Sequence, residues 1–562
     1  MDFLLRHSLF LRHSREGGNP ASEPRPRRRD SRPCGGPLDS RLRGNDVVKF
    51  AVVSLLLATT ACSVGPDYKK PDAPVATQFK ELAGWKPAAP ADAVDRGSWW
   101  TIYKDPVLDD LEKQIDISNQ TLKESEAAYR QSRAVVDQAR ASFFPTLSGT
   151  GSAQRSYVGP GASRAGAAAT SGGATVTGSR GGFATTSFST ALQGSWDLDV
   201  WGRIRRTVEG DVANAQASAA DLASARLSAQ ATLATDYIEL RYQEELKALL
   251  ETTAADFKRS LEITQNQYTA GVAAKADVLS AQTQYLDAQS QAINAGVLRA
   301  TLEHAIAVLV GKPAGDFRIE PGKLPGSVPV VPVGLASTLL ERRPDIAGAE
   351  RRMAAANAQV GVQIAGYFPD ISLTGSYGSQ ATQAAALFAS PTSVWSVGGS
   401  VAETLLDFGA RSAQVEQARA AYDQTVATYR QTVLTGFQQV EDQLSTLRIL
   451  QDQAKVELEV VKSAQEAARL TLNQYKAGTV PYSSVITAQA TALSDEQTAL
   501  NITQQRLTAS ITLIQSIGGG WDESKLPRTD QVEDDTSFLH MVPVTNEHPT
   551  SSDEPAKAGD GK

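Results

Sequence analysis

The chain has 562 residues and a formal net charge of −7, with two cysteines, Cys34 and Cys62, and five histidines. Two cysteines supply neither a disulfide framework nor a CxxC metal pair, and His7, His13, His540 and His548 fall in the terminal segments, leaving His304 alone in a helical pattern. Histidine-based catalysis, a metal site and a resident cofactor are therefore not expected, and an acidic chain is a poor match for nucleic acid.

The first 61 residues carry ten Arg and one Lys against six acids, so the remainder stands at −12. Within them, Arg12-His13-Ser14-Arg15-Glu16-Gly17-Gly18-Asn19-Pro20 and Asp39-Ser40-Arg41-Leu42-Arg43-Gly44-Asn45-Asp46 resemble a translated bacterial intergenic repeat. Residues 1–46 are expected to be a mis-called extension, with initiation near Val47 or Val48. Lys49, the apolar run 50–57 and the small residues Ala58-Thr59-Thr60-Ala61 then precede Cys62. That run is far short of the ~20 residues a membrane-spanning helix needs. It fits a signal peptide over 47–61, cut either as an ordinary secretory signal near Ala61 or as a lipoprotein signal that leaves Cys62 acylated. Ser63, where an aspartate would favour inner-membrane retention of a bacterial lipoprotein, points to the outer membrane.

After a segment over 62–106, a helix is expected over 107–142, followed by two stretches of period-two alternation. Residues 146–157 set Leu147, Gly149, Gly151, Ala153 and Tyr157 against Thr146, Ser148, Thr150, Ser152 and Gln154. Residues 188–200 set Phe188, Leu192, Trp196, Leu198 and Val200 against Ser189, Gln193, Ser195, Asp197 and Asp199. Strands of about ten residues with one apolar and one polar face suit a membrane barrel, although a half-buried sandwich strand looks the same locally. The joining stretch 158–182 is rich in Gly, Ala, Ser and Thr and reads as a flexible external loop.

A 68-residue segment without proline, 203–270, predicts a helix of about 100 Å. Gly271 reverses the chain, and a shorter helix returns over 273–310. A proline-rich linker follows at 312–334, and the pattern then repeats. Gln267-Tyr268-Thr269-Ala270-Gly271 recurs as Gln474-Tyr475-Lys476-Ala477-Gly478, 207 residues on without a gap, whereas Phe144-Pro145 recurs as Phe368-Pro369 at an offset of 224. The second copy, 335–520, has strands around Ile371, Leu373, Gly375 and Tyr377 and around Trp395, Val397, Val401 and Leu405. The stripe Leu222, Ala229, Leu233, Tyr237, Leu240 recurs in register as Tyr429, Gly436, Val440, Leu444, Leu447. Each return helix is too short to match its long partner, and the deficit equals the helix before each strand pair. Each long helix is therefore expected to lie beside two shorter ones stacked end to end. The tail, 521–562, is polar and acidic and is expected to be disordered.

Four spanning strands cannot close a barrel, and open edges in lipid leave backbone groups unsatisfied. Three chains give twelve strands and a closed ring. The expected fold is a mixed α and β membrane protein: a trimeric 12-strand transmembrane β-barrel, four strands per chain, continued by a long α-helical barrel and built from an internal two-fold repeat.

Cys62-Ser63-Val64-Gly65-Pro66-Asp67-Tyr68, Trp99-Trp100 with Asp105-Pro106-Val107-Leu108, Leu339-Leu340-Glu341-Arg342-Arg343-Pro344-Asp345-Ile346, Phe368-Pro369 and the paired Tyr-x-Ala-Gly turns resemble one family. It is the TolC-like outer-membrane efflux factors, specifically the NodT-type lipoprotein subunits of resistance–nodulation–division tripartite pumps. The resemblance implies a homotrimer held in outer-membrane lipid, lipid-anchored at Cys62 and reaching into the periplasm, with a periplasmic adaptor and an inner-membrane pump as partners. It places the adaptor-contacting tips at Tyr268, Ala270, Gly271, Tyr475, Ala477 and Gly478. Many relatives carry a gating acid just after the second tip; here Ser484 and Thr487 occupy that stretch, and Asp277 in the first copy is the candidate for an acidic pore constriction or for a helix-start charge. The implied activity is passive export of small toxic compounds, not catalysis. A duct for type I protein secretion, a structural stalk and an envelope enzyme are the competing readings.

Overall fold

The computed structural model describes residues 63–74, 79–82, 97–159, 183–329, 331, 339–389 and 392–533, all within one structural unit, Ala61–Lys562. The extension 1–46, the signal 47–61, Cys62, most of the loop 158–182 and the tail from 534 lie outside the described residues.

The chain order is α1 (Pro106–Ser118), α2 (Gln120–Ala141), β1 (Thr146–Val158), β2 (Phe183–Asp197), α3 (Arg203–Thr269), α4 (Lys275–Leu309), α5 (Leu339–Arg342), α6 (Pro344–Ala365), β3 (Asp370–Ala381), β4 (Ser393–Ala402), α7 (Ala410–Lys476), α8 (Tyr482–Ser516) and α9 (Thr529–Glu533). The repeat is literal: α7 and α8 begin and end 207 residues after α3 and α4, and α6 begins and ends 224 after α2. The 67-residue helices α3 and α7 contain no proline and one glycine each, so nothing in their backbone interrupts the ladder.

The helices form a single layer. Nearer the strands α2 packs on α3, α3 on α6 and α6 on α7; at the far end α4 packs on α3, α3 on α8 and α8 on α7. Each long helix thus has shorter neighbours stacked end to end. Where the shorter helices meet, the core gathers, with Leu233, Tyr237 and Leu240 of α3 and Tyr429, Val440 and Leu444 of α7 buried among Leu108, Ile115, Ile306, Ile346 and Leu513. The repeated stripe is therefore the inward face of both long helices.

Three expectations need correction. The helix expected over 107–142 is two helices broken at Asn119, and its counterpart before the second strand pair is likewise broken at Arg343. Arg343 precedes Pro344, whose ring disfavours helical backbone at the residue before it. Strand β2 runs from 183 to 197 and β4 ends at 402, so Leu198, Val200 and Leu405 lie beyond the strands. The stretch from 521 is structured as far as 533: Val532 of α9 is buried against Val136, Val208 and Val212.

The four strands form one antiparallel sheet in the order β1-β2-β3-β4. The 17 residues by which the first copy exceeds the second fall in the β1–β2 connection, which leaves β1, the strand pairing and everything after Gly202 in register.

Candidate functional site

The sheet has two chemically distinct faces. Pairing sets Leu147 opposite Gly194, Leu192 opposite Tyr377, Trp196 opposite Leu373, and Tyr377 opposite Trp395, so the apolar residues of all four strands share one face. That face is bare: Leu147 is 74%, Trp395 71% and Val397 81% exposed. The opposite face is laced with hydroxyls, with Ser152–Ser189 at 2.8 Å, Ser372–Ser400 at 2.7 Å and Ser376–Ser396 at 2.8 Å. A hydroxyl ladder tolerates water, while the exposed Trp and Val side tolerates hydrocarbon. No partner strand lies beyond β1 or β4 among the described residues.

Where strands give way to helices, aspartates start the long helices. Asp199 accepts from the backbone N–H groups of Ile204 (2.9 Å) and Arg205 (3.0 Å), and Asp407 from those of Gly409 (3.0 Å) and Arg411 (3.2 Å). Trp201 stacks on Phe368 at 4.8 Å, and its indole donates to the Pro369 carbonyl at 2.8 Å. The segment that follows Cys62 is fixed at this level. Val64 N–H donates to the Trp201 carbonyl at 3.1 Å, and the buried Arg206 guanidinium donates to the Val64 and Gly65 carbonyls and to Asp67. Asn357 donates to the Pro66 carbonyl, and the Tyr68 hydroxyl donates to Glu350.

The middle of the layer holds residues that sequence reasoning treated only as family markers. Asp105 caps α1 through Val107 N–H and accepts at 2.6 Å from the Tyr237 hydroxyl, tying α1 to α3. At the first stacking joint Asn119 caps α2 through Leu122 N–H and donates from Nδ2 to the Leu309 carbonyl at the end of α4 (2.7 Å). At the second joint Arg343 stands at the position equivalent to Asn119 and donates to the Ser516 carbonyl, the equivalent of Leu309, at 2.9 Å. Different side chains satisfy the same helix-end carbonyl, which a search for identical residues passes over. Arg343 also clasps Asp345 at 2.6 Å and reaches Gln439 on α7 at 2.9 Å.

Both far turns have the same build: Gly271 N–H donates to the Tyr268 carbonyl and Gly478 N–H to that of Tyr475, each at 2.9 Å, with Ala270 and Ala477 capping the preceding helices. Their tyrosines differ. Tyr268 is 42% exposed, whereas Tyr475 is buried with its ring 5.1 Å from Tyr482, beside Ala281 and Val485. The difference comes from α8, which packs across to α3 at this end. Asp277 lies in the first turn of α4 and accepts from Ala274 N–H at 3.3 Å, so its carboxylate starts a helix. Burial, and then the charges of Tyr475 and Asp277, push the Tyr482 hydroxyl up to about 12 against a bond to Thr264 that lowers it. Ser484 is half-buried near the start of α8, and Thr487 is exposed and donates back to the Ser483 carbonyl.

The description of the outer membrane efflux protein family matches residues 111–312 and 335–519, more than half of the chain and one block per repeat. The chain belongs to that family. This outer-membrane efflux protein is 28% identical over 480 residues to the toluene efflux pump outer membrane protein TtgC of Pseudomonas putida, covering 85% of this chain and 96% of that protein. It is also 28% identical over 490 residues to OprJ of Pseudomonas aeruginosa, covering 85% and 97%. Among solved structures it is similar to the outer-membrane channel OprN (TM-score 0.73, 29% identity, 82% of this chain and 100% of that one). The open state of the Neisseria gonorrhoeae MtrE outer membrane channel is a second such structure (0.68, 26%, 82% and 99%).

Proposed function

We propose that three copies of this efflux protein close into one duct, a twelve-strand barrel in the outer membrane continued by a periplasmic helical tunnel. The observation that carries it is that the chain is open on both sides at once. Among the described residues, β1 and β4 have no outer strand neighbours, α7 meets short segments such as 79–82 but no further helix column besides the α6–α8 stack, and α2 with α4 forms the other border. An open sheet with a bare apolar face is costly in lipid, and cyclic closure satisfies every edge with one repeated contact. The duct is passive and no catalysis is assigned to it. An inner-membrane pump supplies the energy and a periplasmic adaptor docks at the tips, where Tyr268, Ala270 and Gly271 are presented and where Tyr475 holds Ala477 and Gly478 from within.

The cargo is small toxic compounds, a reading supported by relatives named for toluene and antibiotic efflux. Cys62 carries the lipid, because the segment directly after it is pinned where the strands end, the level of the inner leaflet. Domain bounds follow the two repeats, 107–311 and 335–520. The pore narrows at the tips around Asp277, Ser484 and Thr487.

Deleting the gene should sensitise cells to lipophilic toxicants, and the wild-type copy should restore growth. Undiminished resistance with loss of a secreted protein would overturn the efflux reading in favour of type I secretion. A free Ser63 terminus in the mature protein would rule out the anchor. Asp277→Asn should lower cation selectivity across a salt gradient without abolishing efflux. An unchanged reversal potential would place Asp277 off the pore.

A further inference from the structure

A cavity of about 610 Å³ opens between the end of α2, the first turns of α3, α6 and the C-terminal helix α9. Phe143, Phe144 and Val212 give it an apolar lining, and Arg140, Arg205, Arg351 and Glu209 stand around it, Arg205 paired with Asp199 and Arg351 with Glu350. Such a volume is that of a small ligand site. The chain itself leads into it: Thr529 and Glu533 are among its walls, and Arg140 donates to the Glu533 backbone carbonyl. Val532 is buried against Val136, Val208 and Val212, and Gln216 donates to the Pro527 carbonyl at 3.1 Å, so the exit point of the chain is fixed at the rim.

We infer that the cavity is the seat of this chain's own C-terminal segment, residues 534–542. The next two residues in the sequence are Asp534 and Asp535, acids that suit an arginine-bearing rim, and Phe538, Leu539, Met541 and Val542 follow. Five extended residues from Glu533 to Phe538 reach about 17 Å, enough to enter a cavity whose rim Glu533 already forms. Acids followed by apolar side chains match a lining that holds both arginines and aromatic carbon. Covalent attachment at the rim keeps the effective concentration of the segment far above that of any free ligand. The seated segment would brace the joint between α2, α3 and α6 just below the strands.

The test uses the full chain with Cys34→Ser, so that Cys62 with its lipid leaves no other free thiol. Phe144→Cys, at an exposed position on the cavity wall, is combined with Phe538→Cys and treated with a short bismaleimide. The link is located by proteolysis and mass measurement. An intrachain link should form at least tenfold faster than with Ala558→Cys, a position on the same tail. Adding Arg351→Glu should slow it several-fold, and so should high salt, which shortens the reach of the arginine field. Equal rates for positions 538 and 558 would overturn the inference, since a merely tethered tail does the same. A link joining two chains would overturn it in favour of a neighbour's tail. So would a phospholipid bound to the full-length protein with no link to position 538. Phe144 is 55% exposed, which makes loss of folding a poor explanation for a missing link.

Discussion

At the scale of single residues, some polar groups buried in the helical layer join helices, whereas Glu112 does not. Asn119 and Arg343 close the stacking joints, and Arg241, held by Tyr237 (3.0 Å) and Glu244 (2.7 Å), fixes the linker through the Glu320 carbonyl at 2.8 Å. Glu112 on α1 is fully buried, and neither carboxylate oxygen has a partner. Burial first, then Asp116 and Asp109, push its carboxyl up to about 9. The unfolded chain releases that proton near ~4.3, so between the two values the folded protein binds more protons. This contribution to stability is complete below the lower value and is lost as pH rises toward 9. Glu112→Gln should raise the thermal midpoint at pH 8, leave it nearly unchanged at pH 4 and flatten the slope between. An unaltered slope in circular-dichroism melts would remove Glu112 as its source.

At the scale of elements, the repeat preserves geometry more faithfully than chemistry. Gly311 and Gly518 end the return helices with positive φ, and each abuts the helix stacked beneath it. A Cβ on Gly518 would lie 1.8 Å from the Arg342 carbonyl oxygen, and one on Gly311 2.3 Å from that of Ser118. At the tips Gly478 also has positive φ (+74°), but a Cβ there meets nothing within 4 Å. Gly478→Ala should therefore cost only the left-handed strain of ~1–2 kcal/mol, whereas Gly518→Ala must push two stacked helices apart. The heat-resistant oligomer seen by gel migration should be nearly normal in the first and lost in the second. The reverse order would mean that the joints are not what holds each long helix to its neighbours.

At the scale of the whole molecule, one chain is an unfinished surface. Leu286, Ile293 and Leu298 of α4 and Ile449, Val456 and Leu458 of α7 are exposed, one set on each bordering helix. By composition α4 is apolar enough to cross a membrane, yet it lies along α3, so its bare residues fit a neighbouring chain better than lipid. Native mass measurement in detergent should give three chains; a conducting monomer would refute the shared barrel. On the lipid side Val397→Arg should cost about 2–4 kcal/mol at mid-membrane depth. Thr374→Arg, on the hydroxyl face, should insert normally and change conductance instead. Equal insertion of both variants would contradict the assignment of faces.

The sequence by itself determined the units. Period-two alternation, proline-free stretches and an ungapped offset follow from local backbone geometry, which each residue carries wherever the chain goes, so strands, long helices, turns and the double copy were legible residue by residue. The family markers were legible too, but not what they do. Asp105 and Arg343 act through Tyr237 and Ser516, at more than a hundred residues' separation, and such a bond leaves no local pattern. The break at Asn119 escaped notice because an asparagine between two helical patterns is unremarkable until a helix end needs its amide. The tips read as equivalent, yet only the packing of α8 across α3 buries Tyr475 while Tyr268 stays exposed. The seat of 521–533 was equally hidden, since a polar segment acquires a fold only when Val532 finds an apolar groove built from distant helices. Local propensity wrote the parts; contacts between residues far apart in the chain decided which of them meet.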